Sequence, residues 1–394
     1  MSTTRLRVLQ VGKFFAPERG GIETYLKSLC DHLAGDVDVE VVVANTAPRS
    51  RCDRVDGIPV MRTLSLGRLS SAPVLPLLPR VLAAARADVV HLHAPNPMAE
   101  LAYLTSPLAA RSKLVVTWHA DPRGDAVLAP LYRPLARRLL ARADAICVAT
   151  PRHVTGSRFL RGHADACHVC TFGVAVPTRP VAADAVAAVR ATAAGRPLLL
   201  GVGRLVYYKG FDVLIEAVRD LDAVLLLVGE GPERARLEAL VRTAGAQERV
   251  RLLGELPDLE AHFAACDVFV LPSTHPSEAF GIVQLEAMAH GKPVVSTRLG
   301  TGVEWVNRDG ESGLVVRPGD PAALRAALVR LLGDPALAAR LGAAGRARVV
   351  REFTPERAAA EVLAVYRRVT AADGARRPVA APAVVAPGGL AHVG

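Results

Sequence analysis

Long apolar runs are missing from this 394-residue chain. Nothing approaches the roughly 18 unbroken nonpolar residues that a membrane span needs, although alanine lifts the mean hydropathy to +0.26. Met1 to Arg7 carries two arginines but opens onto no apolar core with a small-residue cleavage site, so no secretory leader is expected. Aromatic residues make up only 4% and form no stacking motif, which argues against nucleic acid as a partner. The six cysteines supply one CxxC, Cys167 and Cys170, beside His163 and His168. A closed zinc site needs two more ligands in register, so no metal is expected and the thiols read as reduced and cytosolic. Cys30, Cys147 and Cys266 sit in apolar patterns as small core residues. The third glycine of a nicotinamide-dinucleotide fingerprint is also lacking: Gly201-x-Gly203 runs on to Val206 and Gly229-x-Gly231 to Arg234. Gly291-Lys292 leads into Pro293 and is not a P-loop.

What is present is a globular composition, 51% hydrophobic and 22% charged, in a chain long enough for two cores. The net charge of +10 is lopsided, with 23 Lys+Arg against 14 Asp+Glu in residues 1–180 and 25 against 24 beyond. An anionic partner, such as a membrane surface or a lipid phosphate, is expected for the first half. Short apolar runs read as buried strands at Leu6–Val11, Val37–Ala44, Val89–His91, Leu114–Trp118 and Ala145–Val148. A second set follows at Leu198–Val202, Ala223–Val228, Val250–Leu253, Val268–Leu271, Val294–Ser296 and Gly313–Val316. Helical stretches lie between them. The pattern predicts an α/β chain with two doubly wound parallel sheets, covered on both faces and facing each other across a crevice. The expected units are residues 1–178, residues 179–354, a helix over 355–370, and a tail at 371–394 too rich in Ala, Pro, Val and Gly to order. Pro177 to Gly195 reads as the linker.

Four places carry chemistry. Ser277 to Ala289 follows one strand and precedes another, and a helix over Phe280–Ala289 would set Glu278 at its N-terminus and Glu286 inside it. Eight helical residues rise about 12 Å, too far for a glycosidase pair, whose carboxyls lie about 5–9.5 Å apart. Taken alone, Glu286 reads equally as a surface carboxylate. Gly203-Arg204-x4-Lys209-Gly210 puts two cations between a strand and the helix Phe211–Arg219, as an anion site would. Gly20-Gly21 follows the first strand, where backbone meets a ligand closely or simply turns. His119 ends a strand at the rim, as a ligand contact or a satisfied core histidine.

Together with Gly229-Glu230-Gly231, Thr117-x-His119 and Gly300-Thr301-Gly302-Val303-Glu304, these motifs resemble glycosyltransferase family 4, in order, over about residues 5–370. That resemblance implies the GT-B architecture of two facing Rossmann-like domains, and a retaining enzyme that uses a nucleotide-sugar co-substrate and no metal or other cofactor. By the same resemblance, Arg204 and Lys209 would hold the donor diphosphate and Glu286 the ribose hydroxyls. Glu278 would hold the transferred sugar, helped by the backbone at Phe280 and Gly281, and His119 would reach it from the other domain. Gly20 and Gly21 would line the phosphate and acceptor side, and the base would lie near Gly254 and Glu255. The last helix would return to the first domain. Asp36-Val37-Asp38 resembles the DxD metal motif of the other main glycosyltransferase fold, but reads as a solvated strand start.

The stretch from Gly203 to Phe211, with Trp305-Val306-Asn307, is similar to mannosyl- and rhamnosyltransferase members. It favours GDP-mannose over UDP-glucose or another UDP-sugar. A glycan or lipid-linked acceptor of the cell envelope is expected, at the cytoplasmic face of the plasma membrane. Arg133, Arg137, Arg138 and Arg142 would contact anionic lipid, or form an ordinary solvated face. A non-catalytic sugar-nucleotide or membrane-binding protein is the reading from another class.

Overall fold

Apolar strands buried on both faces need cover on both sides, and the chain provides it twice. The computed structural model describes residues 5–18, 20–69, 72–122 and 128–371. Its strands, in chain order, begin with β1 (Arg7–Val11), β2 (Asp38–Ala44), β3 (Arg51–Val55), β4 (Ile58–Thr63), β5 (Arg68–Leu69) and β6 (Ala72–Pro73). β7 (Val89–Ala94), β8 (Lys113–Trp118), β9 (Ala145–Val148) and β10 (Cys167–Val169) complete the first half. The second half holds β11 (Leu198–Val202), β12 (Val224–Val228), β13 (Val250–Gly254), β14 (Val268–Leu271), β15 (Val294–Thr297) and β16 (Gly313–Val316). One sheet runs β10-β9-β8-β7-β1-β2-β4-β3 and the other β13-β12-β11-β14-β15-β16, with β5 and β6 a separate ribbon. Within the two large sheets only the β3–β4 pair is antiparallel.

Three apolar clusters hold these layers. One covers a single face of the first sheet through Leu9, Leu92 and Val116. Another covers a face of the second through Leu199, Leu225 and Val270. The third runs without interruption from Val8 and Val115 on the first sheet, through Phe172 and Phe280, to Leu200 and Phe269 on the second. The two halves therefore share a core.

The chain crosses between halves beside its own return path. Val174 N–H donates to the Phe353 carbonyl at 2.9 Å. A Cβ on Gly173 would lie 2.4 Å from the Thr354 carbonyl, so only glycine fits the crossing. Helix Pro355–Ala371 then lies against the first helix, Gly21–Leu33, and against β8 and β9. Its Glu361 accepts from the backbone N–H and the hydroxyl of Thr171, at 2.8 and 3.0 Å.

Two expectations need correction, and one hairpin was not foreseen. Pro177 to Gly195 is not plain linker: it holds helix Ala183–Ala191, and Arg190 pairs with Asp267 at 2.7 Å. The helix carrying Glu286 starts at Ile282, not Phe280, because Gly281 is left-handed at φ 72° and the Phe280 ring is buried. Glu278 is then a loop residue, and a helical rise does not measure its distance from Glu286. The β3–β4 hairpin, polar along β3, had no apolar run to announce it. Residues 372–394, most of the expected tail, lie outside the described residues.

Candidate functional site

Among the parallel strands of each sheet the order reverses once, at β11/β14 and at β1/β7, and connections leave toward opposite faces there, opening a crevice at the carboxyl ends. The Gly203–Gly210 loop follows β11 and the Pro272–Gly281 loop follows β14, so the two strongest motifs share one switch point. Glycine brings them together. Gly210, at φ 67°, packs so closely that a Cβ would sit 2.2 Å from the Pro272 carbonyl oxygen. A Cβ on Gly229 (φ 140°) would sit 2.0 Å from the carbonyl oxygen of Gly203.

Across this gap Lys209 Nζ meets Glu278 Oε2 at 2.5 Å, and the Ser273 hydroxyl donates to the same oxygen at 2.9 Å. Both charged side chains are only about a tenth exposed, at 11% and 10%. Thr301 Oγ1 donates to the Glu278 carbonyl at 2.8 Å and Gly302 N–H to that of Ala279 at 2.8 Å, so the Gly300–Glu304 turn holds the loop in place. Arg204 is exposed and has no ion-pair partner among the described residues. The Glu286 carboxyl is likewise without a partner among them, and burial raises its pKa to about 7. Gly254 ends β13, where its carbonyl accepts from Gly229 N–H at 2.8 Å, and Glu255 beyond it is exposed.

The first sheet faces this rim with Gly20, Gly21 and His119. A Cβ on Gly21 would be 3.8 Å from Ile282 Cδ1, at the start of the Glu286 helix. Gly20 has extended backbone, and a Cβ there would fall 2.2 Å from Glu23 Oε2. His119 N–H extends the β7–β8 ladder to the Ala94 carbonyl at 3.0 Å. Its ring lies 5.7 Å from that of Phe172, which in turn lies 4.8 Å from Phe280. Arg152 pairs with Glu304 at 3.3 Å across the same boundary. The structure thus brings His119, Phe280, Gly21 and Ile282 to one junction, while Glu255 stands two strands away from the β11 loop.

Several residues escaped the sequence reading. Lys13, after β1, has its pKa lowered by burial, beside the charges of Glu23 and Glu100. Glu100 is fully buried. Its Oε1 accepts from Asn96 N–H at 2.7 Å and from Tyr132 at 2.8 Å, while its Oε2 and both Asn96 amide atoms have no partner among the described residues. His91 and His93 are buried on β7, and their spacing of two puts both on one face of the strand, a signal that was legible. Phe172 had none. Of the basic stripe, Arg133, Arg137 and Arg138 are exposed on helix Leu128–Arg142. Arg142 is not part of that surface: it binds Asp144 and the carbonyls of Ala109 and Ser112.

A model of the glycosyl transferases group 1 family matches residues 185–348, and one of the glycosyl transferase 4-like domain matches residues 20–173. The D-rhamnosyltransferase WbpZ of Pseudomonas aeruginosa is 34% identical over 355 residues, 89% of this chain and 92% of that one. This chain belongs to the family 4-like glycosyltransferases. A second relative is the GDP-mannose-dependent alpha-(1-6)-phosphatidylinositol monomannoside mannosyltransferase of Mycolicibacterium smegmatis. It is 31% identical over 358 residues, 86% of this glycosyltransferase and 92% of its own length. A sucrose-phosphate synthase from Thermosynechococcus elongatus superposes with a TM-score of 0.79 at 26% identity, over 93% of this chain and all of that one. Anabaena HepE, solved with UDP and glucose, superposes at 0.75 over 92% of this chain and all of its own, at 21% identity, a likeness of fold alone. The glycosyltransferase has the GT-B fold of two Rossmann-like domains. No helix among its described residues is long and apolar enough to cross a membrane.

Proposed function

We propose that this glycosyltransferase moves a hexose, mannose from GDP-mannose, with retention of anomeric configuration and without a metal, to a glycan or lipid-linked acceptor of the cell envelope. The observation that supports it most is the buried Lys209–Glu278 pair at the β11/β14 switch point, with the exposed Arg204 on the same loop as Lys209. Arg204 offers a planar fork to phosphate oxygens and Lys209 a point charge. Lys209 is already paired with Glu278, so the same ammonium bridges the leaving diphosphate and the carboxylate that holds the sugar hydroxyls. Glu286 takes the ribose hydroxyls, with Gly254 and Glu255 near the base. Gly20, Gly21 and the Phe280–Gly281 backbone line the sugar and phosphates.

The anomeric C–O bond to phosphate breaks and its electron pair leaves with the diphosphate, whose charge the two cations stabilise. Preorganised charge of this kind is usually the largest single contribution to lowering such a barrier. The acceptor oxygen bonds to the anomeric carbon on the same face, and its proton passes to the departing phosphate oxygen. A screen of radiolabelled sugar nucleotides with a membrane extract tests the donor and acceptor together. Glu278→Gln and His119→Ala are each expected to lose transfer, and normal rates in both would refute the assignment.

A UDP-sugar is the second reading, favoured by the UDP bound to HepE. Thermal shifts with GDP, UDP and ADP separate the two, since a response to UDP alone excludes guanine. The similarity to phosphatidylinositol-directed and rhamnosyl relatives supports an acceptor at the cytoplasmic face of the membrane, with exposed Arg133, Arg137 and Arg138 turned to anionic lipid. A purely binding role predicts no donor hydrolysis at all.

A further inference from the structure

The face of the first sheet that enters the shared core carries a polar chain where apolar side chains would pack more cheaply. Gln10, His91, His93, Thr117 and Tyr366 are at most 2% exposed, and His119 is 6%. None leaves a buried polar atom unpaired among the described residues. Unpaired polar groups at this depth are costly, so a fully connected chain has one arrangement at a time.

The amide of Gln10 gives the chain its polarity, since its nitrogen only donates and its oxygen only accepts. Gln10 Nε2 donates to the Tyr366 hydroxyl at 2.9 Å. The hydroxyl proton then goes to His91 Nδ1, 2.6 Å away, and His91 Nε2–H donates to Thr117 Oγ1 at 2.7 Å. At the other end Gln10 Oε1 accepts from His93 Nε2–H at 3.0 Å. Neutral His93 is left with a bare Nδ1, and it accepts from His119 Nε2–H at 3.0 Å. Burial holds all three imidazoles neutral, with pKa values pushed well below the ordinary histidine range. The rings also stack, His91 on His93 at 4.7 Å and His93 on His119 at 5.3 Å. His119 Nδ1 has no partner among the described residues.

We infer that Gln10 and Tyr366 are positioning residues that fix His119 as its Nε2–H tautomer, presenting Nδ1 as an acceptor for a hydroxyl of the transferred sugar. This rests on the proposed meeting of His119 with that sugar. It gives the returning helix Pro355–Ala371 a part in the chemistry: a residue 356 positions from Gln10 closes the chain. Turning the Gln10 amide around would reverse every bond and make His119 a donor instead.

The test is long-range proton–nitrogen NMR of the full chain labelled in histidine, with His119→Ala used to assign the His119 ring. Wild type is expected to show one neutral tautomer, protonated at Nε2. Tyr366→Phe removes the acceptor that orients the amide, and Gln10→Met removes the amide while keeping its length. Each is expected to populate the Nδ1–H form and to lower kcat on the order of tenfold, with less than a twofold change in donor KM. Unchanged thermal melting of at least one variant shows that the effect is not unfolding. A wild-type His119 protonated at Nδ1, or split between tautomers, overturns the inference whatever the rates. If His119→Ala transfers normally while the tautomer is as stated, the site reading fails and the positioning chain stands.

Discussion

At the end of the second sheet the backbone does the shaping; at the end of the first, side chains do. Around β11 and β14, Gly210 and Gly229 bring the loops within contact, and a short ion pair between the two loops, Lys209 with Glu278, fills the gap. Around β1 and β7, residues 10, 91, 93, 117, 119 and 366 are linked by hydrogen bonds that span up to 356 positions of sequence. The same half also holds Asn96 and Glu100, whose side-chain amide atoms and Oε2, respectively, have no partner among the described residues. On the proposed reading, one rim places charge against a phosphate, while the other orients neutral groups toward hydroxyls.

Removing a charge should hurt the second rim most. Lys209→Ala is expected to cut transfer about a thousandfold, and to destabilise the fold by roughly 3–5 kcal/mol by stranding the Glu278 carboxylate. Adding Glu278→Gln should recover most of the stability in urea melts and none of the activity. A double variant no more stable than the single one would show that the pair does not act as a unit.

Next comes the buried carboxyl of Glu100 in the first half. Burial raises the Glu100 carboxyl to about 7 from 4.5, so the folded chain keeps a proton that the unfolded chain releases. Stability from this group is full below about pH 4.5 and is lost as the pH rises through 7, by up to about 3 kcal/mol. Glu100→Gln should flatten that part of the stability profile. Parallel profiles for variant and wild type between pH 5 and 8 would contradict it.

The crossing between halves is tested by Gly173→Ala, expected to cost about 2 kcal/mol by forcing a methyl into the Thr354 carbonyl. Smallest of all is the surface. Reversing Arg133, Arg137 and Arg138 to Glu should leave stability within about 0.5 kcal/mol and abolish flotation with anionic vesicles; equal flotation would remove the lipid contact.

The contrast also explains what could be read from sequence. The buried parallel strands and both loops at the β11/β14 switch point were legible, because such strands are short apolar runs and the donor-side motifs are contiguous. The start of the Glu286 helix was misread, since nothing local says that Gly281 turns left-handed before it. Arg142 looked like one more basic residue of a stripe until its carbonyl partners appeared. Phe172, Lys13 and Tyr366 take their roles from segments far away in sequence, so no spacing rule reaches them. The histidine pair on β7 is the exception: its alternation was visible, and only its partners were not.

The central claim is that a diphosphate is gripped at the β11/β14 switch point by Arg204 and Lys209. Calorimetric titration of GDP, GMP, UDP and UMP into wild type, Arg204→Ala and Lys209→Ala tests it directly. The account predicts that wild type binds one diphosphate far more tightly than its monophosphate and that either substitution erases most of that gap. A gap of wild-type size in both variants would contradict it.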